Sequence, residues 1–245
     1  MSEQRIYGWK KQADDTRDKP FKLSVQVKNI PKIIDNRQAL AQFPVQDQGS
    51  LGSCTANATL TPVALLNGSI PQSRLLQYYF TREIEGNINE DSGAEIRNAI
   101  KVLNRNGTCA EFRWPYDVAQ FATKPNQGAI DAANGNMGYN YAAVEQTLDD
   151  LCLALLFNPC VVFGFMVKAS FESMKVATLG HYNPKKSEAV IGGHAVCLVG
   201  YDKVKRTFLV RNSWGAKWGM GGYFTMPFKE VLDGIVSSDF WVVKR

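Results

Sequence analysis

The chain has 245 residues, 45% of them hydrophobic, and sets 28 Lys and Arg against 23 Asp and Glu for a formal charge of +5. A chain of this length buries a core without covalent staples, as one large domain or as two lobes. Its charge is scattered instead of gathered into basic runs with interleaved aromatics, which argues against a nucleic-acid partner. The longest strongly apolar run, VVFGFMV at 161–167, falls far short of the roughly 20 residues that span a bilayer, so no membrane span is expected. Five cysteines make an odd count, so at least one thiol is free. If Met1 is the natural start, the polar first 22 residues lack the apolar core of a secretory leader, leaving cytosol and non-classical export both open.

Residues 1–29, polar and mixed in charge, read as an N-terminal extension, and the body begins at NIPKIIDNRQ. Three helices are expected next. The first follows Cys54 and carries Pro62, which should kink it or end it early. The second is SRLLQYYFTREIEG, and the third is SGAEIRNAIKVLNRNG, with Ile96, Ala99, Ile100 and Leu103 on one face and Gly107 past its end. The Gly-, Asn- and Ala-rich stretch from Asp117 to Asn140 reads as a connection, placing a boundary near residue 120. A further helix is expected at VEQTLDDLCLALLFN. Strands follow at CVVFGFMV, HAVCLVGYD, TFLVRNSWG, GGYFTMPF and DFWVVK. The pattern implies an α+β fold of two lobes, a mainly helical one at 30–120 with Cys54 and a mainly β one at 121–245 with His194 and Asn212, separated by a cleft.

Cys54 opens a helix behind Gly49, Gly52 and Ser53, a position that lowers a thiol's pKa when an imidazolium stands beside it. Taken alone it reads more readily as a buried structural thiol, the commoner fate of a single cysteine, and the context has to overturn that. Of the two histidines, His194 opens a strand after Gly192 and Gly193 and can be aimed into a cleft, whereas His181 lies in the polar loop LGHYNPKKSE. Asn212, between a strand and a glycine-rich turn, can fix the imidazole, and Trp214 can shield that hydrogen bond from water. Turn chemistry alone also accounts for NSWG. Gln48 can aim its amide where the Cys54 N–H points, completing a pair of donors for an oxyanion.

Together QDQGSLGSC, GGHAVCLVGYD and RNSWGAKWGMGGYF resemble the papain-like cysteine peptidases, with glutamine, cysteine, histidine and asparagine in that order, over about residues 31–245. WPYD at 114–117 resembles the family's tyrosine-proline element, and EDSGAEIRNAIKVL the segment whose glycines bond the substrate backbone. The resemblance implies a papain-like fold with a helical lobe and a β-barrel lobe, and a cysteine endopeptidase acting through a thioester, without cofactor or metal. Its catalytic residues would be Cys54, His194, Asn212 and Gln48. Substrate contacts would come from Gly93, Ser92, Gly193, Ala195, Phe163 and Trp214, and the partners would be protein or peptide substrates.

Departures are Leu51, where many members carry a disulfide cysteine, Thr55 after the nucleophile, and Gly193 before the histidine; the expected lack of bridges and of a leader resembles the microbial members better than the lysosomal ones. Only about 29 residues stand before NIPKIIDNRQ, so the long inhibitory prodomain that the resemblance implies is expected to be missing. Their Tyr7, Trp9 and Phe21 in a polar context suggest intramolecular inhibition, with residues 6–21 lying across the cleft. The alternatives are a catalytically silent peptide-binding module and an acyl transferase (transpeptidase) on the same site.

Overall fold

A computed structural model describes residues 5–23, 27 and 29–245, so the extension at 1–4, 24–26 and 28 lies outside the described residues. Three helices, α1 (Cys54–Leu66), α2 (Arg74–Glu85) and α3 (Ile96–Arg105), form the helical lobe. Ser73 caps α2 by accepting the Leu76 N–H, and Gly86, at φ 74°, ends it in the left-handed turn that glycine permits. α1 is buried from Cys54 to Ala64, the signature of a helix enclosed on all sides.

Pro62 does not end α1. Proline removes the N–H that would bond Ala58 O, and the Cys197 thiol donates to that oxygen at 3.2 Å instead. The neighbouring lobe therefore satisfies the group that proline frees, and the helix runs on to Leu66.

The other lobe is one antiparallel sheet, with β2 (Asn140–Ala143), β3 (Val161–Lys168), β4 (Val190–Asp202), β5 (Thr207–Arg211), β6 (Tyr223–Pro227) and β7 (Ser237–Lys244) in the order β2-β7-β3-β4-β5-β6. β1 (Ile33–Asp35) pairs with β4. Here the sequence expectation is corrected: the terminal strands β2 and β6 do not pair, so the sheet stays open and is no closed barrel. The two largest buried clusters lie at the sheet: one within the β lobe around Phe163, Phe165, Leu198 and Phe224, and the other joining α1 and α3 to the back of β3, β4 and β7.

The connection around 117–140 is more ordered than its composition suggested. It holds α4 (Gln127–Asn134), capped by Asn126, whose Ala129 and Ala133 pack with Leu76, Tyr79 and Val102. By packing it belongs with the helices. The next helix, α5 (Leu148–Phe157), starts later than its apolar run suggested, because Thr147 caps it and Val144 is drawn into hydrogen bonding with Phe240 beside β2. Short helices α6 (Met174–Leu179) and α7 (Phe228–Val231) complete the fold. Among the described residues no helix is long and apolar enough to cross a membrane.

Candidate active site

The loop before α1 is built to present Cys54. Gly49 takes φ 58°, closed by its N–H on Asp47 Oδ1 at 2.9 Å, and the Gly52 N–H meets both oxygens of Asp91 at 3.0 Å. Cys54 is then the first residue of α1, where helical N–H groups have no intrahelical acceptor. Its sulfur accepts the Ala195 N–H at 3.4 Å and also faces the N–H groups of Gly8 and Thr55.

His194 does not open its strand as expected but lies inside β4, which begins at Val190, opposite Phe165 of β3. The preceding glycines continue the ladder. Its Nε2 lies 2.8 Å from Asn212 Oδ1, which also accepts the Ser213 N–H, while Nδ1 is buried without a partner. Asn212 follows β5 directly, and its own N–H is held by Gly222 O at 2.9 Å. Trp214 leans over the imidazole at 5.2 Å between ring centroids, with Phe165 at 6.0 Å, so the hydrogen bond to Asn212 sits under aromatic cover.

Gln48 is fully buried. Ser213 Oγ donates to its Oε1 at 2.6 Å, which leaves the amide nitrogen as the donor end. That nitrogen donates to Leu51 O at 2.9 Å and to Ile6 O at 3.2 Å. A carbonyl of the chain's own N-terminus therefore occupies the place toward which the amide is aimed.

Residues 5–10 run through the cleft as a strap. Ala94 N donates to Gly8 O at 2.7 Å, Lys10 N to Ala94 O at 3.1 Å, and Trp9 N to Gly193 O at 2.9 Å, so Trp9 pairs in parallel with Ala94. Tyr7 stands edge-on to His194 at 5.9 Å and its hydroxyl donates to Glu172 at 2.7 Å. Arg5 pairs with Asp47 at 2.8 Å. The segment passes because glycines line its path: a Cβ on Gly8 would strike Gly52 O, one on Gly93 would strike Gly8 O, and one on Gly164 would strike the Trp9 indole.

This cover changes the electrostatics expected from the sequence. Burial pushes the Cys54 thiol up to about 11, against the pull of the N–H groups around it. Burial likewise lowers His194 to about 4, opposed by its bond to Asn212 and aided by nearby Arg5. With the strap in place burial favours the neutral form of both groups, against the thiolate and imidazolium expected at this position.

The remaining predicted contacts divide. Gly193 and Ala195 meet the strap and the sulfur through their backbones, and Trp214 covers His194. Gly93 does not offer its N–H to the segment in the cleft, because Tyr78 OH accepts it at 3.1 Å; Ala94 does the pairing and Gly93 supplies clearance. Ser92 touches the strap through Lys10 Nζ at 3.3 Å. Phe163 is corrected: it stacks on Phe240 at 5.2 Å inside the β lobe, because strand alternation turns Gly164 to the cleft and Phe163 away from it. Sequence reasoning missed Ala94, Ser213 and Asp239, which have no motif of their own. Asp239 accepts the Trp9 Nε1–H at 2.9 Å. Among the described residues no group of three or more His, Cys, Asp or Glu could hold a metal ion.

Residues 30–238 match the family model for papain family cysteine proteases. The chain is 41% identical over 276 residues to an uncharacterized peptidase C1-like protein of Acanthamoeba polyphaga mimivirus, covering 98% of this chain and 87% of that one. It is 31% identical to pro-cathepsin H of Bos taurus over 79% of its own length, and spans 58% of that protein. Among solved structures it is similar to xylellain, a cysteine protease from Xylella fastidiosa, with 35% identity, a TM-score of 0.86, and coverage of 97% of this chain and 95% of that one.

Proposed function

This chain belongs to the papain family of cysteine proteases, and we infer that it is a thiol endopeptidase whose own residues 5–10 hold the cleft shut. The observation that carries the reading is the imidazole of His194, with one nitrogen on Asn212 and the other, Nδ1, buried and free, while the Cys54 sulfur rests on the N–H of the next residue along β4. Nδ1 takes the thiol proton, and Sγ attacks the carbonyl carbon of the scissile bond. The oxyanion is held by the Cys54 N–H and Gln48 Nε2. Nδ1–H then protonates the departing amine nitrogen, leaving a thioester on Cys54. Water gives a proton to Nδ1, adds to the thioester, and the C–S bond breaks to release the acid and regenerate the thiol. Asn212 fixes the ring plane throughout, and Trp214 keeps water from its hydrogen bond.

The strap blocks this sequence twice. Ile6 O engages the Gln48 donor, and Gly8 and Tyr7 keep solvent from the sulfur and the ring, which holds both neutral. No residue of the site favours a silent peptide holder or an acyl transferase over hydrolysis. In the test, Cys54→Ala and His194→Ala each abolish cleavage of a fluorogenic peptide while circular dichroism stays that of the parent. Undiminished turnover in either variant would end the reading.

A further inference from the structure

Gln48 is gripped from the β lobe twice: its N–H donates to Ser213 O at 2.9 Å, and its Oε1 takes the Ser213 hydroxyl. Cys54, whose N–H is the partner donor of the oxyanion hole, belongs to α1 in the other lobe. The bonds between Gln48 and Leu51 stay within one turn and do not reach α1. A further group has to fix the spacing of the two donors.

Tyr116, half-buried in the segment after α3, spans that gap. Its hydroxyl donates to Gln48 O at 2.8 Å and lies 2.5 Å from Ser53 Oγ. A phenol has a single proton, here given to Gln48 O, so Ser53 Oγ is the donor of the second bond. Ser53 stands at the N-cap of α1, yet its side chain makes no cap hydrogen bond and turns to Tyr116 instead. Behind it Asn57 Nδ2 donates to Ser53 Oγ at 3.1 Å, and Asn57 Oδ1 takes an Arg74 Nη1–H at 3.3 Å, which fixes the orientation of that amide. The same Nη1 donates to Asp47 O at 2.8 Å. Every proton points one way, from Arg74 through Asn57, Ser53 and Tyr116 to Gln48 O, and hydrogen bonds in such a chain strengthen one another. Arg74 is itself locked, with Glu111 at 2.6 and 2.8 Å and the Tyr116 ring centroid 3.7 Å from its guanidinium. Burial pushes the Tyr116 phenol up to about 12, so it keeps the proton this chain needs across neutral pH.

We propose that Tyr116 is a positioning residue of the oxyanion hole: by bridging Gln48 O to Ser53 Oγ it sets the separation of the Gln48 amide from the Cys54 N–H, and so acts on the tetrahedral intermediate without touching substrate. The inference rests on the endopeptidase reading and adds to it a residue whose hydrogen bonds reach neither the sulfur nor the imidazole. Two donors stabilise an oxyanion only when both lie within reach of the same oxygen, and that charge exists only once the sulfur has attacked a carbonyl. Loss of the Tyr116 hydroxyl therefore spares the thiol's own reactivity and slows peptide cleavage.

The test compares the full-length parent, Tyr116→Phe, Gln48→Ala and the double variant by two rates: alkylation of Cys54 with iodoacetamide, which forms no oxyanion, and kcat/KM on a fluorogenic peptide. Dividing the second by the first removes any difference in how far the strap is open. The quotient should fall about tenfold in Tyr116→Phe and about 100-fold in Gln48→Ala. The double variant should lie within about threefold of Gln48→Ala, because Tyr116 acts through that side chain. A quotient unchanged in Tyr116→Phe, whether both rates hold or both fall together, overturns the proposal, as does the tenfold loss repeated on top of Gln48→Ala. Ser53→Ala cuts the bridge from the α1 side and should lower the quotient as Tyr116→Phe does; it decides the matter if Tyr116→Phe fails to fold, and no loss in it overturns the bridge. Should Cys54 alkylate in every chain while no peptide is cleaved, the endopeptidase reading fails and a peptide aldehyde decides Tyr116. The thiol adds across its C=O, sulfur bonding carbon and the oxygen taking the thiol proton, and that oxygen lies in the same hole. Affinity about tenfold weaker in Tyr116→Phe supports the proposal, and equal affinity overturns it.

Discussion

Gly8→Ala tests the closed state through a single methyl group. Gly8 does not occupy the positive-φ region, so its backbone admits alanine; what forbids a side chain is Gly52 O, which the new Cβ would overlap. The strap has to lift to relieve this. Lifting gives up the three backbone hydrogen bonds at Gly8, Trp9 and Lys10, at about 1 kcal/mol each. It also exposes a Trp9 side chain now 6% exposed, worth about 2–3 kcal/mol. Because part of the strap can settle elsewhere, closure should weaken by about 3–5 kcal/mol, roughly a 150- to 5000-fold gain in the open fraction, up to full opening. The assay is iodoacetamide alkylation of Cys54, followed by mass spectrometry, alongside kcat/KM on a fluorogenic peptide. Both should rise together, since an uncovered thiol returns from about 11 toward the range where it ionises beside His194. A Gly8→Ala chain that folds normally yet alkylates and turns over at the parent's rate would refute the argument.

Gln48→Ala removes the side-chain donor to the oxyanion and should lower kcat by about 100-fold in an opened background such as Gly8→Ala, with KM little changed; steady-state kinetics check this. Proton linkage to closure should nearly cancel in the parent. The covered His194, lowered to about 4, refuses a proton that an uncovered ring takes below pH 6.5, which favours opening as pH falls through that value. Asp239, raised from 3.8 to about 6, keeps under the strap a proton that the uncovered carboxyl gives up, which favours closure over much of the same window. Asp239→Asn should therefore become open in acid while the parent does not, as read by the rate of Cys54 with 4,4′-dithiodipyridine at pH 4.5 and 7. Lys168 and Glu230 form a buried pair at 2.8 Å, and Lys168→Met, by leaving a lone buried carboxylate, should cost about 3–5 kcal/mol in urea unfolding.

The sequence by itself determined the parts that depend on local chemistry. Gly49, Gly52 and Ser53 before a helix start put Cys54 where a nucleophile belongs, Asn212 follows a strand into a turn, and the amphipathic face of α3 is plain in the spacing of Ile96, Ile100 and Leu103. Aromatic residues in a polar leader suggested that the extension crosses the cleft, as Tyr7 and Trp9 do, whereas Phe21 lies along β2 with its N–H on Ala143 O. Tertiary structure decided what depends on partners distant in the chain. Pro62 does not break α1 because Cys197 accepts the task of bonding Ala58 O, 139 residues away in sequence. Phe163 points into the core because strand alternation is fixed by which face the lobe buries. Asp239 carries no motif and gains its meaning from a bulge opposite Phe163 and from Trp9, 230 residues earlier. The protonation state of the site belongs to this second class: a thiol's acidity is set by what covers it, and here the cover is the chain's own beginning.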